Sequence, residues 1–336
     1  MKLCTFAVRT PLGVARRVGV VTPDGIVDAT AARVAWLERG LTLPAAQRVA
    51  SAQVPAEMIA LIGSGGVALE WVAEAVAAVS ERGLEATSDG QCIVYAPGAV
   101  TLLAPVPQPP AMVNFSVWPA HSTGAADLGI SLAPNTADAA VKPYWKGNPS
   151  AVVGPDTVLE CPSYADALDV ECELVCVVGT GGRDLDRDGA ARAIVGYTIL
   201  NDLSARERQA AEMATGRGPS KGKDFDHGNP MGPWIVTSDE IGDPRRLQLS
   251  LHINGEEMSS CSAAGMLWDF PEMLSYLSVD QTVPPGMVIS GGCYAGGSAH
   301  EVGVRLRPGD RVEMRVSGIG GLASIIGGHR GAAARG

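Results

Sequence analysis

Two carboxylates, Glu171 and Glu173, stand inside the otherwise apolar, β-prone run ALDVECELVCVVG of residues 167–179. Successive side chains of a strand alternate faces, so Glu171, Glu173, Val175 and Val177 share one side and Cys172, Leu174, Cys176 and Val178 the other. Like charges about 7 Å apart on a buried strand repel and lose hydration, and they need protons, cationic side chains or a metal ion. A hard divalent cation is the simplest partner. The alternative is an edge strand with a solvated polar face.

Three further signals bear on that choice. Asp202, where the strand-like GYTILND runs out into SARERQ, could supply a third oxygen ligand, or could start a turn or cap a helix with Asn201. Three carboxylates form a hard-oxygen set suited to Mg2+ or Mn2+, with Ca2+ as a further candidate. Lys223, in SKGKDFD, is a surface charge or a fixed cation able to stabilise an enolate or oxyanion as it forms. His121, in NFSVWPAH, is a general-base candidate or a histidine that packs locally. Trp118, Tyr144 and Trp145 are candidate pocket residues, and Lys142 and Lys146 candidates for meeting a substrate carboxylate, each weighed against packing or surface roles.

Elements must bring these residues together. Residues 3–30 read as a hairpin, with LCTFAV and then ARRVGVV and IVDAT around the turn signal Thr22-Pro23-Asp24-Gly25. Two alanine-rich helical patterns follow, one over residues 43–62 and one over VALEWVAEAVAAVSERG, which stops at Gly83. A short strand is expected over residues 100–103. The proline cluster at residues 105–110 marks a stiff boundary. Beyond it the chain reads as short β runs broken by glycine and proline, with helices expected only over residues 187–194 and 271–279. The fold class is mixed α/β and β-rich, not a doubly wound parallel sheet. The expected divisions are a small α+β N-terminal domain over 1–105, a catalytic domain over 106–327 and a flexible tail over 328–336.

Composition sets outer bounds. An apolar fraction of 46% with 18% charged residues suits a globular chain with a sizeable core. A net charge of −10 without a basic stripe argues against a nucleic-acid partner. The N-terminus lacks the roughly 7–15-residue apolar core of a leader, and no run of about 18 apolar residues offers a membrane span, so a cytoplasmic protein is expected. Seven cysteines without a repeated CxxC spacing fit reduced thiols. The loops GTGG at 179–182 and GGCYAGG at 291–297 lack the G-K-[ST] of a phosphate loop.

In their order along the chain, NFSVWPAH, KPYWKGNPSAVVGP, DVECELVCVVG, GYTILNDLSARERQ, GKDFD, PMGPWIVTSDEIGDP, LHINGE and PGMVISGG resemble the fumarylacetoacetate hydrolase superfamily over roughly residues 113–318. The resemblance implies a β-roll of mixed sheets behind a smaller variable domain. It implies a metal held by Glu171, Glu173 and Asp202, substrate or leaving-group contacts from Arg206 and Gln209, Lys223 as the catalytic lysine, and His121 as the base that activates water. Glu301 falls where an acidic partner would orient His121. Two positions depart from the pattern. Asn114 stands where the hydrolases carry a fourth ligating aspartate, and Gly292 stands where a substrate-touching threonine is common, so that contact is either lost or taken by Cys293 or Tyr294.

The activity so implied is metal-dependent hydrolysis of a C–C bond in a 1,3-dicarbonyl substrate, an acylpyruvate or fumarylacetoacetate-like compound. Decarboxylation, tautomerisation or hydration of a 2-oxo acid by the same site, and a ligand-binding relative without turnover, are the alternatives. The partners implied are a small oxo-acid or dicarbonyl molecule and a second copy of the chain in a homodimer, with no nucleic acid and no membrane.

Overall fold

A computed structural model describes residues 1–11, 13–124 and 136–330. The chain starts with β1 (Lys2–Thr10), β2 (Gly13–Thr22) and β3 (Gly25–Asp28), an antiparallel meander over the three runs LCTFAV, ARRVGVV and IVDAT read from the sequence. Asp28 then caps α1 (Ala29–Leu37) by accepting from Ala31 N, and Arg17 holds the same carboxylate at 2.6 Å. This helix escapes sequence inspection because it is buried nearly all round and shows no polar stripe.

The single helix expected over 43–62 is two, α2 (Leu43–Gln53) and α3 (Met58–Gly63). Pro55 lacks the N–H needed to continue α2, and Glu57 restarts the chain by accepting from Ile59 N and Ala60 N. α4 (Gly66–Arg82) ends at Gly83 with φ +61°, as its glycine stop predicts. β4 (Val94–Tyr95) and β5 (Thr101–Leu102) complete this part.

Then come β6 (Met112–Phe115), α5 (Pro119–Gly124), β7 (Tyr144–Lys146), β8 (Val152–Val153), β9 (Val158–Cys161), β10 (Glu171–Val178), α6 (Arg187–Ala193), β11 (Ile194–Asn201) and α7 (Arg206–Met213). β12 (Asn229–Thr237), α8 (Ser238–Ile241), β13 (Gln248–Ile253), β14 (Glu256–Ser262), α9 (Phe270–Ser278), β15 (Val288–Ser298), β16 (Arg311–Val316) and β17 (Gly320–His329) follow. Of the tail expected over 328–336, Gly328 and His329 belong to β17, and residues 331–336 lie outside the described residues. Helix α7 was not anticipated either, because its sequence RERQAAEM buries no residue and carries no apolar face.

Among the described residues the strands form two mixed sheets. The larger runs β4-β3-β2-β1-β12-β11-β10-β15-β6-β7, with β5 on β1 and β8 on β12; the smaller runs β14-β13-β16-β17-β9. β1 pairs with β12 through Lys2↔Val236 and Leu3↔Ile235, so the large sheet continues across the boundary expected at residue 105. β10 lies inside this sheet, between β11 and β15, and all eight of its residues are buried. That removes the edge-strand alternative for Glu171 and Glu173. Its alternation holds: Cys172, Leu174, Cys176 and Val178 enter the core between the sheets, whereas Val175 and Val177 pack with residues of α3 and α4. The two glutamates continue that second face beyond the apolar packing. No described helix is long and apolar enough to cross a membrane.

Candidate active site

Strand pairing assembles the acidic group. Cys172 is opposite Asn201 in the β10–β11 ladder, so Asp202, the next residue, lies beside Glu171 and donates its N–H to the Glu171 carbonyl at 3.2 Å. Glu173 is opposite Cys293 on β15, and β15 sets Ser290 beside Asn114 of the parallel β6. Ligand oxygens of Glu171, Glu173 and Asp202 all lie within 4.8 Å of one another, and all three residues are buried.

The groups around these carboxylates treat them differently. Lys223, 2% exposed, sends Nζ to Glu171 Oε2 at 2.5 Å and Asp202 Oδ2 at 2.9 Å. The loop carrying it is pressed onto α7 at Gly222, where a Cβ would stand 2.7 Å from Gln209 N. Arg206, at the start of α7, bridges Asp169 Oδ2 at 2.6 Å and Glu171 Oε1 at 2.8 Å, and donates to Gln209 Oε1 at 3.0 Å. Glu173 has no such cation. Its oxygens accept from Ser290 Oγ at 2.6 Å and from Asn114 Nδ2 at 3.0 Å.

Protonation follows from that difference. Burial alone would raise the pKa of Glu171, but Lys223 and Arg206 outweigh it and hold the carboxyl well below its ordinary range. Burial, with the charges of Asp202 and Glu171 beside it, pushes Glu173 well up. Asp202 is raised by burial, partly offset by Lys223, to about 6. Lys223 and Arg206 are held charged, since their carboxylate neighbours outweigh the desolvation that opposes it.

The donor set fits a hard divalent cation. With all four carboxylates of Asp169, Glu171, Glu173 and Asp202 ionised against the two cations Lys223 and Arg206, two negative charges would remain for a divalent cation. Asp202 Oδ1 is buried without a hydrogen-bond partner, an oxygen free to ligate.

His121, on α5, points its ring into the same cavity. Nδ1 lies 3.0 Å from Glu301 Oε1 and Nε2 3.8 Å from Glu171 Oε1. Glu301 is itself fixed by Ser298 Oγ at 3.0 Å and Gly296 N at 3.2 Å. With the Glu301 carboxylate as acceptor, the hydrogen bond assigns the ring proton to Nδ1 and leaves the Nε2 lone pair facing the cavity.

The cavity, about 210 Å3, is lined by eight of the ten expected site residues. Glu171, Glu173, Asp202, Lys223, His121, Arg206, Gln209 and Gly292 line it, and Glu301 backs it through His121. Lys142 does not line it: its ammonium ion-pairs with Glu272 at 3.1 Å and lies 4.9 Å from the centroid of the Trp268 ring. Tyr144 and Trp145 are in the wall, whereas Trp118 is buried behind it and donates Nε1–H to Gly292 O at 2.9 Å. Gly292 has φ +81°, and a Cβ there would stand 2.3 Å from Phe115 O, so no threonine fits this backbone. Cys293 lines the cavity with its thiol pKa pushed far up, by burial first and then by Glu171, and Tyr294 is instead hydrogen-bonded to Ser259.

Inspection of the sequence missed Asp169 and Ser290. The i, i+2 spacing of Asp169 before Glu171 was a signal for the first. No local signal marks Ser290, which only the pairing of β10 with β15 brings to Glu173.

Residues 119–326 match the family model described as the C-terminal domain of fumarylacetoacetate (FAA) hydrolase. A provisionally named hydrolase of Burkholderia ambifaria is 33% identical over 205 residues, spanning 57% of this chain and 70% of its own. The fold is similar to that of maleylpyruvate hydrolase from Sphingobium sp. SYK-6, solved with manganese(II) and pyruvate, with a TM-score of 0.68 and 24% identity over 98% of this chain and 100% of that one. Fumarylacetoacetate hydrolase from Exiguobacterium antarcticum gives a TM-score of 0.68 and 25% identity over 97% of this chain and 100% of that one.

Proposed function

The chain belongs to the fumarylacetoacetate hydrolase family, and from that premise we propose that it is a metal-dependent hydrolase cleaving a C–C bond in a 1,3-dicarbonyl substrate of the acylpyruvate type. The observation that carries this is His121, turned by Glu301 so that Nε2 looks across the cavity at the Glu171 carboxylate. Glu171, Glu173 and Asp202 would hold Mg2+ or Mn2+. When bound, such a cation supplies Lewis acidity to the chelating oxygens of a dicarbonyl or 2-oxo acid.

The side chains have distinct tasks. His121 Nε2 takes a proton from water, whose oxygen adds to the acyl carbonyl carbon remote from the 2-oxo acid. Glu301 stabilises the imidazolium that results. The bond between that carbon and the adjacent methylene breaks, its electron pair passing to the departing 2-oxo-acid fragment as an enolate. Lys223 is a buried fixed cation for this developing charge, and Gln209 and Arg206 hold the fragment's polar end. The proton carried by His121 returns to the methylene carbon, giving a carboxylic acid and a 2-oxo acid.

Purified protein supplied with Mn2+ or Mg2+ is expected to hydrolyse acetylpyruvate, with loss of at least roughly 100-fold in kcat for His121→Ala. Full activity in His121→Ala would remove the water-activating role. Turnover of oxaloacetate without hydrolysis of any acylpyruvate would replace the hydrolase by a decarboxylase. A homodimer in solution is part of the same proposal, and a monomer mass by light scattering would contradict it.

A further inference from the structure

The cavity has two unlike ends. Its floor is the carboxylate group with Lys223 and Asn114. Its outer wall is built from Tyr144 and Trp145 of β7, Met213, and Pro143 and Pro219. β7 is the last strand of the large sheet. Met213 closes α7, whose first residue is Arg206, and at ~1.5 Å per residue it lies about 10 Å further along the helix axis than the arginine.

Cations are confined to the floor. Among the described residues lining the cavity, the lysines and arginines are Lys223 and Arg206, and both are ion-paired with carboxylates. His121 is turned to Glu301, Lys142, adjoining the wall in sequence, is taken by Glu272, and Lys146 and Arg217, which adjoin it too, are not among the lining residues.

We infer that the substrate carries its carboxylate only at the end facing the acidic floor, and presents an uncharged apolar group, alkyl or aryl, to Tyr144, Trp145 and Met213. This deepens the hydrolase proposal and rests on it for the reaction. A second carboxylate at the outer wall would exchange water for aromatic, thioether and proline surface, with no cation to replace the lost hydration. An alkyl chain loses nothing there and gains burial.

The test compares, on Mn2+-loaded protein, succinylpyruvate with 4-methylpentanoylpyruvate, which places an isopropyl group where the succinyl carboxylate would be. The expected kcat/KM ratio favours the isopropyl compound on the order of 100-fold, and calorimetric binding follows the same order. Met213→Arg is expected to narrow that ratio at least ~10-fold by improving succinylpyruvate, with its folding checked by thermal melting. Equal or better use of succinylpyruvate by the unaltered protein overturns the inference and leaves the hydrolase standing. Turnover of neither, with the isopropyl compound still bound at least ~10-fold more tightly, removes the hydrolase and supports the apolar outer site. Binding without that preference, or no binding of either, overturns it.

Discussion

Asn114 Nδ2 lies 3.0 Å from each carboxylate oxygen of Glu173, and the same nitrogen is 2.9 Å from Asp202 Oδ2. A neutral amide thus donates to two of the three acidic residues from the position where the family resemblance places a fourth ligating aspartate. Its N–H groups matter most to Glu173, which meets no cation among these contacts and otherwise accepts from Ser290 Oγ.

Asn114→Asp exchanges that donor for another charge. The metal-free variant is expected to be less stable by about 2–3 kcal/mol, because a buried like charge replaces hydrogen bonds. With saturating Mn2+ the deficit should close, and Mn2+ affinity should rise by roughly 10-fold as a fourth oxygen ligand is added. Melting curves with and without metal, plus calorimetry, measure both; weaker Mn2+ binding in the variant would count against the ligand assignment.

Glu171→Gln and Glu173→Gln should part company despite sharing one strand face. The first leaves Lys223 and Arg206 short of a buried counter-charge and is expected to cost about 3 kcal/mol in urea unfolding. The second imitates the protonated form that Glu173 already favours and should leave metal-free stability within about 1 kcal/mol. Each should weaken Mn2+ binding by at least ~10-fold. Unchanged affinity in both would mean the cation binds elsewhere.

Metal binding should depend on pH in a defined direction. Asp202 sits at about 6 instead of its ordinary 3.8, so the folded, metal-free protein retains a proton there that the unfolded chain has lost. Its contribution to stability therefore falls as pH rises from about 3.8 to about 6. A cation must expel this proton, so Mn2+ affinity should increase at least roughly 10-fold between pH 5 and 7, and the raised Glu173 acts in the same direction. Affinity independent of pH across this range would contradict protonated ligands in the metal-free state.

Gly292→Ala should destabilise the protein by about 2 kcal/mol or more. The residue is at φ +81°, and its new Cβ would meet Phe115 O at 2.3 Å. Chemical denaturation of the variant gives the value; wild-type stability would show that β15 has room to shift.

Local sequence determined much of this protein. Alternation in residues 171–178 placed both glutamates on one face and Cys172 and Cys176 on the other, because a strand has period two whatever surrounds it. Gly83 stopped α4 as a glycine does, and the order of motifs from Asn114 to Gly292 carried the family. Local patterns failed where burial or solvation erased the periodic signal, as in α1, buried nearly all round, and α7, polar throughout.

Tertiary structure decided what the carboxylates are. Glu171 and Glu173 are equivalent in sequence, yet one faces Lys223 and Arg206 and the other Ser290 and Asn114, so their protons are held in opposite senses. It also drew Lys142 away to Glu272 and left the outer wall of the cavity without a cation. The physical reason is range: alternation is fixed by neighbouring residues, whereas the charge environment of a buried group is fixed by partners that only folding brings within a few ångströms.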